Sequence, residues 1–295
     1  MVRDRQGLGW LGKLIVLLVL AAVYVGVVVV VLLPPAASPY TPPIAETGDF
    51  VSVNYRGYFP DNLRTFDTSL ENVAKDNATY PKAASFTYRS GQPYEPLTFE
   101  LGCTSGSGCP LAAFQNAVRG LRAGEFRHFE LAPAEAYGAA NPAKIRVRNL
   151  TEDVVATETM DSTAFQQRYG EGPVDGSTVP DADWGWNVTV HVSGNVVTVR
   201  HSPAVGQTVT VAGRWQARVL LIEDGANQGL GRVQVEHFLR ASDVRAFVAS
   251  DLSGNFLVAA VDVVAGTFTT DYNSEVIGRN LGFDITLVSI RKAIP

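Results

Sequence analysis

Residues 14–33, LIVLLVLAAVYVGVVVVVLL, hold no charged side chain, and this run constrains the chain more than any other feature. At ~1.5 Å per residue, a helix of this length spans roughly 30 Å, the thickness of a bilayer's hydrocarbon core. A buried helix of a soluble domain would normally present a polar face, and this run has none. Arg3, Arg5 and Lys13 precede it against Asp4 alone, and no Lys or Arg follows until Arg56. This bias predicts a transmembrane helix over 14–33, with residues 1–13 in the cytoplasm and all later residues outside. A cleaved signal peptide is the competing reading. Its apolar core is usually ~7–15 residues, but Pro35, Ala36, Ala37 and Ser38 offer a cleavage site. Either way the remainder lies beyond the membrane.

The stretch PPAASPYTPPIAET at 34–47 holds five prolines and few large apolar residues, and reads as a stiff, extended linker. The formal charge of the whole chain is −5 while its first residues are positive, so the remainder is mildly acidic. No basic stripe suits a nucleic acid, which excludes that class of partner.

Regular structure is expected from about Asp49. FVSVNY at 50–55 and LTFEL at 97–101 alternate as strands do, and EFRHFEL at 125–131 alternates again. In PLAAFQNAVRGL at 110–121, Leu111, Phe114, Val118 and Leu121 fall at helical spacing behind a proline, which predicts a helix. LGFDITLVSI at 281–290 reads as a last strand. Between 142 and 273 the texture changes to one rich in Val, Thr and Gly. There, Gly176-Ser-Thr-Val, Trp186 and His201 recur as Gly206-Gln-Thr-Val, Trp215 and His237. Short strands at this spacing predict a β-rich barrel or sandwich of two similar halves, unless the recurrence is chance likeness among Val-rich strands.

Cys103 and Cys109 are separated by five residues; outside the membrane they suit a local disulfide, with free thiols as the alternative. His128, His191, His201 and His237 lack partners at metal-ligand spacing and read as ordinary strand residues. Trp184, Trp186 and Trp215 fit either a core or an aromatic binding patch. Asn77, Asn149 and Asn187 each begin an N-x-T sequon.

Several fragments, taken in order, resemble the FKBP-type peptidyl-prolyl isomerases: VSVNYRG at 51–57, FDTS at 66–69, PLTFELG at 96–102, the helix at 110–121 followed by Gly124-Glu125, AYG at 136–138, and LGFDI at 281–285. Position by position, the resemblance implies an apolar site walled by Tyr55, Phe66, Leu97, Phe99 and Phe283. Phe114 stands at its floor, where the family usually has Trp, and Pro110 and Leu111 stand on the rim. It implies that the Leu111 N–H holds a substrate carbonyl, that Tyr137 donates to a substrate carbonyl, and that Asp67 faces the twisting amide, with Phe66 beside it. Leu97 departs from the aromatic often found at its position.

The long stretch after AYG resembles the SlyD-like branch, in which a chaperone module is inserted in the flap. The Trp-containing segment at about 174–238 has no obvious place in that pattern. The resemblance thus implies an α+β fold: an FKBP-like twisted antiparallel half-barrel wrapping a short helix (48–141 and 274–295), with an inserted β-rich domain (142–273), preceded by one transmembrane helix. The expected activity is cis–trans isomerisation of X–Pro bonds, with unfolded or partly folded proline-containing polypeptides as partners. No cofactor and no metal are expected. A membrane-tethered holdase and a cell-surface binding protein remain the alternatives.

Overall fold

The computed structural model describes residues 42–106 and 108–293, so the transmembrane helix expected over 14–33 lies outside the described residues. Among those described, no helix is long and apolar enough to cross a membrane. The described residues are mostly strand, with few and short helices.

Strand β1 (Phe50–Tyr58) is the axis of a five-stranded antiparallel sheet. Its alternation buries Val51, Val53 and Tyr55 on one face. Strand β2 (Thr65–Thr68), helix α1 (Glu71–Lys75) and strand β3 (Leu97–Glu100) follow. Both β2 and β3 pair with the same side of β1, at opposite ends of it. Helix α2 (Ala112–Val118) then buries Phe114 and Val118 against the sheet, in one core with Val51, Val53, Ile285 and Leu287. It is shorter than the 110–121 expected. Arg119 has already left the helical region, and Gly120, at φ +80°, turns the chain away. Strand β4 (Phe126–Leu131) completes this stretch.

The chain next builds three four-stranded sheets around a second core. Strands β5 (Ile145–Asn149), β6 (Thr151–Val155) and β7 (Thr157–Asp161) run in succession, joined by the single residues Leu150 and Ala156, and each enters a different sheet. Helix α3 (Ser162–Tyr169) follows, capped by the Asp161 carboxylate. Three meanders come next: β8 (Thr178–Asp181), β9 (Trp186–Ser193) and β10 (Val196–His201); β11 (Thr208–Val211), β12 (Trp215–Glu223) and β13 (Arg232–His237); β14 (Val248–Asp251), β15 (Gly254–Asp262) and β16 (Thr267–Asp271). The first closes on β7, the second on β6 and the third on β5. Strand β17 (Leu281–Arg291) then returns to the first sheet, between β1 and β4.

The two similar halves read from the sequence are therefore two of three. Their shared Trp and His residues meet inside the protein. The Trp186 indole N–H donates to His201 Nδ1 at 2.7 Å, and that of Trp215 to His237 Nδ1 at 3.0 Å. Because Nδ1 accepts, the proton of each neutral ring sits on Nε2. His201 Nε2 faces Glu158 at 3.2 Å, and His237 Nε2 faces Glu152 at 3.7 Å. The histidine backbones are tied in the same way, with the His201 N–H on the Ala156 carbonyl and the His237 N–H on that of Leu150. In the third sheet the Tyr272 N–H donates to the Lys144 carbonyl, and Arg146 lies 4.8 Å from the Tyr272 ring centre. Residues 144, 150 and 156 thus repeat one role at a spacing of six, as do 146, 152 and 158.

Both termini of the first sheet meet at Asp49, which is buried. Its carboxylate accepts from the Glu46 and Ala293 N–H groups and from Lys292 Nζ. Burial alone would raise its pKa, but the Glu46 N–H, Lys292 and the Ala293 N–H together hold it below the ordinary value.

Two outcomes follow. Replacing Trp186 or Trp215 with Phe keeps the ring packing but leaves a buried imidazole nitrogen without its donor. Denaturant unfolding is expected to show a loss of about 1–3 kcal/mol for either. Asp49, with its folded pKa lowered, stabilises the fold above the unfolded value of about 3.9, and that contribution is lost as pH falls through the folded value. Asp49→Asn should be less stable at neutral pH and should show a shallower decline in acid. An acid limb identical to the parent's would remove Asp49 from the account.

Candidate active site

Strands β1, β2, β3 and β17 and the N-terminal end of α2 enclose a cleft of about 230 Å³. Its wall is aromatic. The rings of Phe66 and Phe283 meet edge to face with centres 5.7 Å apart, and Phe114 meets Tyr55 at 6.1 Å and Phe283 at 5.4 Å in the same manner. Such edge-to-face contacts hold each ring in place. Gly57 makes room for this wall, because a Cβ there would stand 2.6 Å from the Phe66 ring.

Asp67 is at the mouth. The Tyr55 hydroxyl donates to its Oδ2 at 2.5 Å, and the Thr68 N–H donates to its Oδ1 at 2.8 Å. Arg89 approaches Oδ1 at 3.5 Å. Burial, followed by the charge of Asp67 and the bond to it, pushes the Tyr55 hydroxyl well above its ordinary pKa. Partial burial and then the Asp67 charge also raise that of Tyr137. Both phenols therefore stay protonated, and able to donate, across the neutral range. The Tyr137 ring is half exposed and lines the same cleft.

The cleft brings together Tyr55, Phe66, Asp67, Leu97, Pro110, Leu111, Phe114, Tyr137 and Phe283. Phe99 does not line it. That ring is buried behind Phe114, with centres 6.2 Å apart, because β3 turns it toward the core rather than the opening. Cys103 and Cys109 are bonded to each other, and Cys109 and Gly108 form part of the rim.

Gln115 escaped the sequence reading. A lone Gln within a helical pattern looks like a solvent-facing residue, yet this one is buried. Its carbonyl oxygen accepts from the Gly102 N–H at 2.7 Å, and its amide nitrogen donates to the Cys103 and Pro110 carbonyls at 2.9 and 3.0 Å. One side chain thereby ties both ends of the disulfide loop to α2, and it fixes which way its own amide points. No group of acidic, His or Cys side chains suited to a metal ion occurs among the described residues. The aromatic wall offers shape and exclusion of water, and the rim offers hydrogen bonds. Gln115→Leu would strand one backbone N–H and two carbonyls, and a loss of about 1–3 kcal/mol in unfolding is expected, with the rim loop becoming more open to proteolysis. An unchanged cleavage rate there would show that the disulfide alone holds the loop.

The sequence model for FKBP-type peptidyl-prolyl cis-trans isomerases matches residues 42–149, which contain most of the cleft but not β17. A short-type peptidyl-prolyl cis-trans isomerase from Methanocaldococcus jannaschii is 30% identical over 95 residues, 32% of this chain and 52% of that protein. The chain thus spans about half the length of the curated relative it matches. On this match and this sheet, the chain contains an FKBP-type domain.

Proposed function

We propose that the protein is a peptidyl-prolyl cis–trans isomerase acting on X–Pro bonds of polypeptides that fold outside the membrane. The observation that carries this reading is the aromatic cleft with Asp67 and Tyr137 at its mouth. Rotation about an X–Pro bond passes through a twisted state in which amide resonance is lost, at a barrier of ~18–20 kcal/mol in water. The planar amide is the more charge-separated form, so an apolar wall disfavours the ground state relative to the twisted one. The proline ring packs among Phe66, Phe114 and Phe283. The Leu111 N–H and the Tyr137 hydroxyl donate to substrate carbonyls. The Asp67 carboxylate, held by Tyr55 and the Thr68 N–H, faces the twisting amide. Bonds that strengthen only in the twisted form lower the barrier, and no nucleophile or proton transfer is required.

Residues 14–33 anchor the chain with its N-terminus in the cytoplasm, and the Pro-rich linker holds the folded part away from the bilayer; that linker is shorter than the 34–47 expected, because Ile44 bridges Arg122 and Ala45 is buried in the first core. The bonded pair Cys103–Cys109 supports an extracytoplasmic location, where such bonds persist. Residues 142–273 form a module inserted before the closing strand, as in the SlyD-like branch. That module retains unfolded chains near the cleft and raises their local concentration.

The test is refolding of a protein whose slow phase is proline isomerisation, in the presence of the full-length chain. The parent should accelerate the slow phase. Tyr137→Phe, which loses one neutral hydrogen bond worth about 0.5–1.5 kcal/mol, should slow catalysis roughly 2- to 12-fold. Asp67→Ala should cost more, roughly 10-fold or above, because the bonds there are to a charge. A parent that suppresses aggregation without touching the slow phase would identify a holdase instead.

A further inference from the structure

An opening larger than the aromatic cleft lies away from it. It is a cavity of about 630 Å³ between the first and third sheets of the β-rich region, and a second of about 310 Å³ adjoins it. The two share Glu158, Arg168, Asp183 and Asp251. The larger is within the usual range for ligand sites, roughly 300–1,000 Å³. Asp181 and Asp251 stand at corresponding places, each the last residue of its strand before the hairpin, where the second sheet has Val211.

The charges in the larger cavity do not balance. Glu158, Asp181, Asp183 and Asp251 face a single guanidinium, that of Arg168. Arg168 serves Glu158 at 2.6 Å and Asp181 at 3.2 Å. Asp251 accepts from the Tyr272 hydroxyl at 2.6 Å and from the Ser253 N–H. The Asp183 carboxylate has only Arg168, at 3.9 Å. Burial, and then the charges of Asp181 and Asp251, raise its pKa. A donor is also unused. Arg168, whose side chain is 9% exposed and lines both cavities, has a buried Nε without a partner. A fitting ligand therefore supplies a cation to Asp183 and an acceptor to the guanidinium. A metal ion or a simple amine supplies only the first. A basic residue within a polypeptide supplies both, through its side chain and its backbone carbonyl.

We propose that this cavity is a binding site for an Arg or Lys side chain of an extended polypeptide, with Asp183 as its principal charge partner. Trp184, next in the chain, lines the adjoining cavity and stacks on the buried Trp186 with ring centres 5.2 Å apart, which places a fluorescent reporter beside the site. The site is independent of the aromatic cleft, and it can be tested with peptides that contain no proline.

The experiment titrates the full-length chain with a capped, proline-free Gly-Ser peptide carrying two Arg residues, and with the same peptide carrying citrulline in their place, following Trp fluorescence and heat. Citrulline keeps the shape of the side chain and removes its charge. The Arg peptide should bind at least tenfold more tightly, and Asp183→Asn should abolish that preference. Because the variant relieves repulsion, its melting temperature should not fall, so a loss of binding cannot be ascribed to misfolding. Equal binding of the two peptides, absence of binding, or a preference that survives in Asp183→Asn would overturn the proposal. So would calcium or magnesium binding with the same dependence on Asp183 while the Arg peptide does not bind, since that would mark an ion site.

Discussion

The antiparallel pairing of β1 with β17 is the constraint on which the rest depends. Phe50 faces Arg291 and Tyr58 faces Gly282, so strands from opposite ends of the described chain lie side by side. After β2, β3 and β4 have joined that sheet, the chain leaves it for the β-rich region and must return to it. The pairing also carries Phe283 to the wall of the cleft opposite Phe66, and the Asp49–Lys292 contact fastens the outer end of the ladder. A large excursion between β4 and β17 is tolerated because the entropy of closing a loop grows only slowly with its length. It is tolerated better still when the loop has its own core, as this one has.

The two cores treat polar groups by different rules. Around the aromatic cleft, buried polar side chains organise backbone: Gln115 holds the disulfide loop, and Ser69 and Thr68 hold β1 at Tyr55. In the β-rich region they organise sheets against one another. Each indole–imidazole–carboxylate series joins a long strand, the strand after it and one of β6 or β7, so the side chains repeat the connections that the backbone makes. A buried polar group costs free energy unless it is satisfied, and these satisfy one another except at His237 Nε2, which has no hydrogen-bond partner among the described residues.

Much of the first sheet was legible in the sequence, because alternation in β1, β3, β4 and β17 reports burial on one face directly. The cleft residues were legible through short motifs, FDTS and AYG above all. Phe99 was misplaced because alternation says that a residue points inward but not whether a cavity or a neighbouring ring awaits it. Gln115 was missed because polar character within a helix ordinarily signals solvent. The Trp and His recurrence was visible, whereas the third copy was not: it has Phe256 and Tyr272 in the corresponding region rather than Trp and His. The spacing of six in 144–161 was hidden as well. Strands of five residues joined by one leave no turn signal of Gly or Pro, and a reader sees a single Val- and Thr-rich segment.

The nested order of β5, β6 and β7 has a consequence for a chain leaving the ribosome. These strands emerge first, in the order third, second, first with respect to the meanders that later cover them. The sheet containing β7 has all its strands once His201 is out, the next at His237 and the next at Asp271, so the sheets are completed one after another, with β7 waiting least for its partner and β5 longest. The outer sheet is different. Strands β1 and β4 wait, with their central partner absent, until Arg291 has been made. Only between Asp271 and Arg291 does the chain carry a finished β-rich region beside an open sheet edge, and the aromatic cleft is the last part of the described molecule to exist.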